Sequence, residues 1–233
     1  MAEHPRQTRG VAAGAVCAVT GASSGLGRAI AAELASRGAA VLGLARRFTG
    51  APAAPRPGAV LEARCDVTSE LEVAAAFAPL SRVDVLIAGA GHGVFGPIDM
   101  ARVDDLRALL EVHVVGTFLC VRAALVGLSA AGGRVIVIGS TASHYAFPDS
   151  AAYTAAKSGQ HGLTRCLLGE LGPRGIGVTH VSLGAVDTPM WDDRPGFDRS
   201  LMLTPANAAR SIVDTLAAAP VADLELRPRA GNL

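Results

Sequence analysis

A chain of 233 residues has the size at which one α/β domain buries its own core, which argues against a second complete domain and makes residues 1–233 a single unit. Half of the residues are apolar and 18% are charged, a composition that excludes intrinsic disorder. With 21 Lys and Arg against 20 Asp and Glu, the formal charge of +1 lacks the basic excess of a phosphate-backbone binder, so no nucleic-acid partner is expected.

Short apolar runs alternate with longer helix-like segments along the chain, the pattern of a parallel sheet covered by helices on both faces. The first strand is predicted over 15–20 and runs into Thr20-Gly21-Ala22-Ser23-Ser24-Gly25-Leu26-Gly27, from which a helix begins near Gly25. A second strand over 40–45 ends at Arg46 and Arg47, and Pro52, Pro55 and Pro57 then mark a loop. A third strand over 60–65 precedes Asp66-Val67 and a helix from Ser69. The fourth strand, 83–88, leads into Ala88-Gly89-Ala90-Gly91, and one long helix from Val103 to about Ala130 separates it from the fifth, 134–140. Further helices are predicted from Ala151 and from Pro205, where Thr204 is an N-cap and proline takes the first helical position. Strands six and seven are expected over 177–182 and 223–227. The fold class is therefore α/β, a single doubly wound domain of Rossmann type with a seven-stranded parallel sheet flanked by helices.

The turn after the first strand has the chemistry of a pyrophosphate cradle. Gly21 and Gly25 remove Cβ atoms that would obstruct the anion, Gly27 permits close helix packing, and the helix start offers unpaired N–H donors. Gly21, Ser23, Ser24, Gly25, Leu26 and Gly27 are thus candidate cofactor-binding residues. Farther along, Ser140 at a strand end is followed by twelve residues and then Tyr153-Thr154-Ala155-Ala156-Lys157. On a helix, Tyr153 and Lys157 lie one turn apart on the same face, and an ammonium there favours phenolate over phenol.

The glycine spacing T-G-x-x-x-G-x-G and the set S-x12-Y-x3-K together resemble the short-chain dehydrogenase/reductase family in its non-extended form, over residues 16–188. The resemblance implies that Ser140, Tyr153 and Lys157 are catalytic. Tyr153 would exchange the proton, Ser140 would hold the substrate oxygen, and Lys157 would also bind the nicotinamide ribose. It also implies an adenine contact at Asp66 and Val67, a cofactor-facing strand end at Ala88, Gly89 and Ala90, and a nicotinamide-side segment with Gly184, Val186 and Thr188. Three departures stand out. His113 in His113-Val114-Val115-Gly116 replaces the family's asparagine, and either a carbonyl holding a relay water or a packed imidazole is open to it. Small residues replace the amides after the fourth strand, which predicts a looser sheet edge. Leu183 replaces proline, which predicts a less rigid turn before Thr188.

No acid follows the second strand to accept the ribose hydroxyls of NAD, whereas Arg46 and Arg47 suit a 2′-phosphate, so NADP(H) is the expected cofactor. Of the one Trp, two Tyr and six Phe, the residues Phe95, Tyr145, Phe147, Trp191 and Phe197 fall in loops on the ligand side of such a sheet. The expected substrate is a small-to-medium, apolar carbonyl or alcohol, closed over by a short lid near 189–203. The alternatives are a non-redox isomerase or dehydratase on the same scaffold, prompted by His113, and a catalytically silent cofactor-binding regulator.

Cys17, Cys65, Cys120 and Cys166 form no C-x-x-C pair, and His4, His92, His144, His161 and His180 show no ligand spacing, so no metal is expected. No run of 18 uncharged apolar residues occurs, so no membrane partner is expected. The opening residues, with Glu3, Arg6 and Arg9, lack the apolar stretch of a secretory signal, and a cytoplasmic location is expected. The family resemblance implies a homodimer or homotetramer built through the long helices.

Overall fold

A computed structural model describes residues 11–192 and 198–228. Phe197 and the middle of the expected lid lie outside the described residues, as do Glu3, His4, Arg6 and Arg9. Seven parallel strands form one sheet in the order β3-β2-β1-β4-β5-β6-β7. They are β1 Val16–Thr20, β2 Ala40–Ala45, β3 Ala59–Arg64, β4 Val85–Ala88, β5 Arg134–Ile138, β6 Gly177–Leu183 and β7 Asp223–Leu226. The interior strands β2 and β4 are buried at every residue because helices cover both faces. Edge strand β7, Asp-Leu-Glu-Leu, alternates exposed acid with half-buried leucine, as a half-covered strand requires.

Helices α1 Gly25–Ser36 and α6 Pro205–Asp214 cover one face over Ile30, Leu34, Val41, Ile87, Ile136 and Ile212. On the other face, α2 Glu70–Phe77, α4 Gly116–Ala131 and α5 Ala151–Leu171 cover Leu42, Leu44, Leu86 and Val135. Neighbours such as Val41 and Leu42 therefore point into opposite layers, the period-two rule that fixes strand register. Thr204 Oγ1 accepts from the Asn207 amide at 3.2 Å, the N-cap expected ahead of Pro205.

The long central helix is continuous but not uniform: α3 Val103–Leu110 passes through a π segment, Glu111–Val115, into α4. Together Val103–Ala131 has the length and apolarity of a membrane span. One face of it, with Leu109, Leu119, Cys120, Ala124 and Leu128, is buried against the rest of the chain.

Candidate active site

The C-terminal ends of β1, β2, β4 and β5 open onto one crevice, where a doubly wound sheet reverses its strand order. Gly21 stands at its floor with φ +75°, and a Cβ there would lie 2.8 Å from the Gly89 carbonyl oxygen. A Cβ on Gly27 would meet the Gly21 carbonyl at 2.3 Å, so both glycines are required sterically. The start of α1 carries no side-chain cap and no acid in its first turn, which leaves its amide donors and positive end for an anion. These features fit a dinucleotide pyrophosphate.

Thr20 does what the missing amides after β4 were expected to leave undone. Its Oγ1 accepts from the Gly89 and Ala90 amides at 3.0 and 3.1 Å, tying the ends of β1 and β4 together. The loose edge expected from Ala88-Gly89-Ala90-Gly91 is corrected accordingly. Ala88 is buried and Ala90 half-buried beside this tie.

At the end of β2 both arginines are exposed. Arg47 Nη2 donates to Ser24 Oγ at 2.8 Å, which places its guanidinium over the phosphate turn, with Ser23 and Leu26 half-buried alongside. Arg46 is anchored by its carbonyl, which accepts from Arg64 Nη1 at 2.8 Å, and burial together with the Arg46 charge lowers the pKa of His92. Positive charge thus gathers at this corner. Asp66 Oδ1 is held in a local turn by the Thr68 amide and hydroxyl at 3.0 and 2.9 Å, while Val67 is buried against Gly116.

Ser140 ends the loop after β5 and caps the short 3-10 turn Thr141–Ser143, its Oγ accepting from the Ala142 amide at 3.1 Å. That bond uses a lone pair and leaves the O–H proton for another acceptor. Tyr153 and Lys157 project from the same face of α5, with Lys157 Nζ 5.9 Å from the tyrosine ring centroid. Tyr153 is 7% exposed, with the Phe95 ring at 4.9 Å and the His113 ring edge-on at 5.9 Å.

Lys157 Nζ donates to the Ile138 carbonyl at 2.9 Å and to Gln160 Oε1 at 3.0 Å, and burial pushes its pKa down to about 7. Gln160 Nε2 donates to Thr117 Oγ1 at 3.0 Å, and Thr117 donates to the His113 carbonyl at 2.7 Å. The His113 carbonyl, the atom a relay water would use, is thus joined through Thr117 and Gln160 to Lys157. The His113 ring is a packed one: Nε2 lies 2.8 Å from the His92 carbonyl, and burial, then the Lys157 charge, hold its pKa well below the ordinary histidine value. Gln160 and Thr117 were not visible in the sequence, because their contact joins residues 43 apart.

The segment after β6 is held against this site. Thr188 packs on the phosphate turn, 3.1 Å from the position of a Cβ on Gly25. Gly184 donates its amide to the Leu226 carbonyl at 2.9 Å, and Val186 bridges to Leu203. Arg199 clamps the segment through Asp187 at 2.5 Å, Asp192 at 2.8 Å and the Thr188 carbonyl at 3.3 Å. The slack expected from Leu183 in place of proline is thus taken up by an arginine.

The aromatic residues divide. Phe95 stacks on Phe147 at 6.0 Å and on Trp191 at 6.4 Å, directly above Tyr153. Tyr145 belongs elsewhere, lying 4.7 Å from the Arg227 guanidinium. Asp149, at φ +61°, turns its carbonyl onto the Gly96 amide at 2.7 Å and so joins the two loops that carry Phe95 and Phe147. A surface cleft of about 450 Å³ opens between 96–99 and 146–151.

A doubly wound fold with a glycine cradle and a Ser-Tyr-Lys constellation defines a nicotinamide oxidoreductase class, and the comparisons with known proteins agree. The short chain dehydrogenase profile matches residues 15–196, and the chain belongs to the short-chain dehydrogenase/reductase family. It is 34% identical over 184 residues to carbonyl reductase family member 4 of Xenopus laevis, covering 76% of this chain and 78% of that one. It is 42% identical over 118 residues to trans-4-hydroxycyclohexanecarboxylate dehydrogenase of Sinomonas cyclohexanicum, a match spanning 51% of this chain and less than half, 46%, of that relative. Among solved structures, an alcohol dehydrogenase from Thermococcus sibiricus complexed with 5-hydroxy-NADP superposes with a TM-score of 0.82 at 25% identity, covering 94% of this chain and 98% of that one.

Proposed function

We propose that the protein is an NADP(H)-dependent carbonyl reductase or alcohol dehydrogenase acting on a small-to-medium apolar substrate. The observation that carries this reading is Tyr153 and Lys157 on one face of α5, closed over by Phe95. The α1 amides and the glycine cradle would hold the pyrophosphate, with Arg46 and Arg47 on the 2′-phosphate. When bound, the nicotinamide supplies or accepts the hydride. Tyr153 hands its phenolic proton to the carbonyl oxygen during reduction, Ser140 donates a hydrogen bond to the same oxygen, and Lys157 in its protonated form makes the phenol more acidic. Phe95, Phe147 and Trp191 exclude water from the mouth, and the segment 189–203 forms the lid. The solved NADP-analogue complex of a relative supports the cofactor choice. His113 is held by His92, so the feature that prompted an isomerase or dehydratase reading has a packing explanation. We also propose self-association through the outer face of α4.

The test follows NADPH absorbance against a panel of aromatic and aliphatic ketones, with NADPH and NADH dissociation constants measured alongside. Turnover with apolar ketones and tighter NADPH binding are expected. Tyr153→Phe should keep the NADPH affinity and lose at least about a hundredfold in kcat. Undiminished turnover in that variant would end the catalytic assignment, and tighter NADH binding would end the cofactor assignment.

A further inference from the structure

Four residues from four parts of the chain converge on one point, and none of them belongs to the Ser-Tyr-Lys set. His144 follows the 3-10 turn after Ser140, His161 lies two turns beyond Tyr153 on α5, His180 is in β6, and Asp223 opens β7. The register of β6 and β7 sets His180 directly beside Asp223. Asp223 Oδ2 lies 3.0 Å from His144 Nε2 and 3.2 Å from His161 Nε2, and Oδ1 lies 3.4 Å from His180 Nδ1. One ligand atom from each residue is within 4.8 Å of every other.

We infer that His144, His161, His180 and Asp223 form a binding site for a divalent transition-metal ion of the zinc type. At bond lengths near 2.0–2.2 Å, neighbouring ligands of a tetrahedral ion stand about 3.4 Å apart, close to the three separations above. Without an ion, protons on these imidazole nitrogens are shared between one carboxylate and the Ser182 hydroxyl, which lies 3.0 Å from His144 Nε2 and 3.2 Å from His180 Nδ1. A single dication replaces those protons and engages all four groups. Three imidazoles select a borderline ion over Mg²⁺ or Ca²⁺, which take oxygen ligands.

The surroundings fit an outer shell. Buried Ser182 donates to Asp223 Oδ1 at 3.1 Å and so orients the carboxylate, as second-shell groups do around bound metals. The His180 ring is fully buried over Gly139, where a Cβ would lie 2.1 Å from Nε2, so the backbone makes room for this ring. Bound there, the ion staples the turn after Ser140 and helix α5 to the edge strand β7. The role is structural, and it does not depend on the oxidoreductase reading.

The test uses the full chain stripped with EDTA, then titrated with ZnCl₂ in a calorimeter and with CoCl₂ in a spectrophotometer. One Zn²⁺ per chain, a tetrahedral cobalt absorption band, a melting temperature raised by several degrees and no response to MgCl₂ are expected. His161→Ala and Asp223→Asn, each checked for folding by circular dichroism, should each lose at least about tenfold in Zn²⁺ affinity. Imidazole ¹⁵N spectra of the unmutated chain decide the case even if a variant fails to fold: Zn²⁺ should shift His144, His161 and His180 and leave His92 and His113 in place. Absence of stoichiometric binding, unchanged affinity in the folded variants, or shifts at other histidines would each overturn the site.

Discussion

The Lys157 ammonium has two good acceptors, Ile138 O and Gln160 Oε1, yet burial outweighs them and its pKa falls to about 7. Because the folded value lies below the unfolded value of about 10.4, the unfolded chain binds more protons between those limits. Stability contributed by this group therefore rises with pH from about 7 to about 10.4 and is flat below, by at most about 5 kcal/mol in total. Chemical denaturation across that window should show the rise in the unmutated chain and lose it in Lys157→Met. Equal slopes in the two proteins would mean that Lys157 keeps its proton throughout. Tyr153 and Lys157 were legible in the sequence because a helical turn relates them locally. The burial that moves the lysine was not, since it arises only when α5 packs against the sheet.

The π segment Glu111–Val115 lies where the long helix carries His113 over the end of β4. Sequence periodicity predicts one helix here, and one continuous rod is found. The wide turn was not readable, because its partners are the His92 carbonyl and the Thr117 hydroxyl rather than any spacing of apolar residues. The fit is close: a Cβ on Gly91 would stand 2.3 Å from His113 Cε1. Gly91→Ala should push the ring aside, break its bond to His92 and cost about 1–3 kcal/mol, read as a lower urea midpoint at unchanged slope. Adding His113→Asn to that variant replaces the ring with a smaller amide and should recover much of the loss. A Gly91→Ala midpoint equal to that of the parent would show that the helix adjusts freely at this point. The spacing of Gly21 and Gly27 in the phosphate turn, by contrast, was legible because each meets backbone of the turn itself or of the adjoining strand end, whereas the contact of Gly25 with Thr188 appears only in the fold.

Across the whole molecule, apolar strand runs separated by helices were enough to infer a parallel sheet. The meeting of His144, His161, His180 and Asp223 was not, because it depends on which strands become neighbours. The same holds for the outer surface, where the sequence alone cannot say which apolar helix face the core consumes. In the folded chain Leu119, Cys120, Ala124 and Leu128 take the inner face of α4. Val115, Phe118 and Val126 are left 36%, 45% and 79% exposed, and they line one outward stripe with Arg122, whose guanidinium lies 5.5 Å from the Phe118 ring. Leu71 on the neighbouring α2 adds an 83% exposed side chain. An apolar stripe of this kind is costly in water and suits a two-fold contact in which each copy buries the stripe of the other. Sedimentation equilibrium should therefore give a dimer or tetramer at tens of micromolar chain, on the order of the concentrations at which such interfaces saturate. Phe118→Glu with Val126→Glu places charge in the centre of the contact and should shift the protein to monomer while its circular dichroism stays unchanged. A monodisperse monomer for the unmutated chain under the same conditions would rule out self-association through α4.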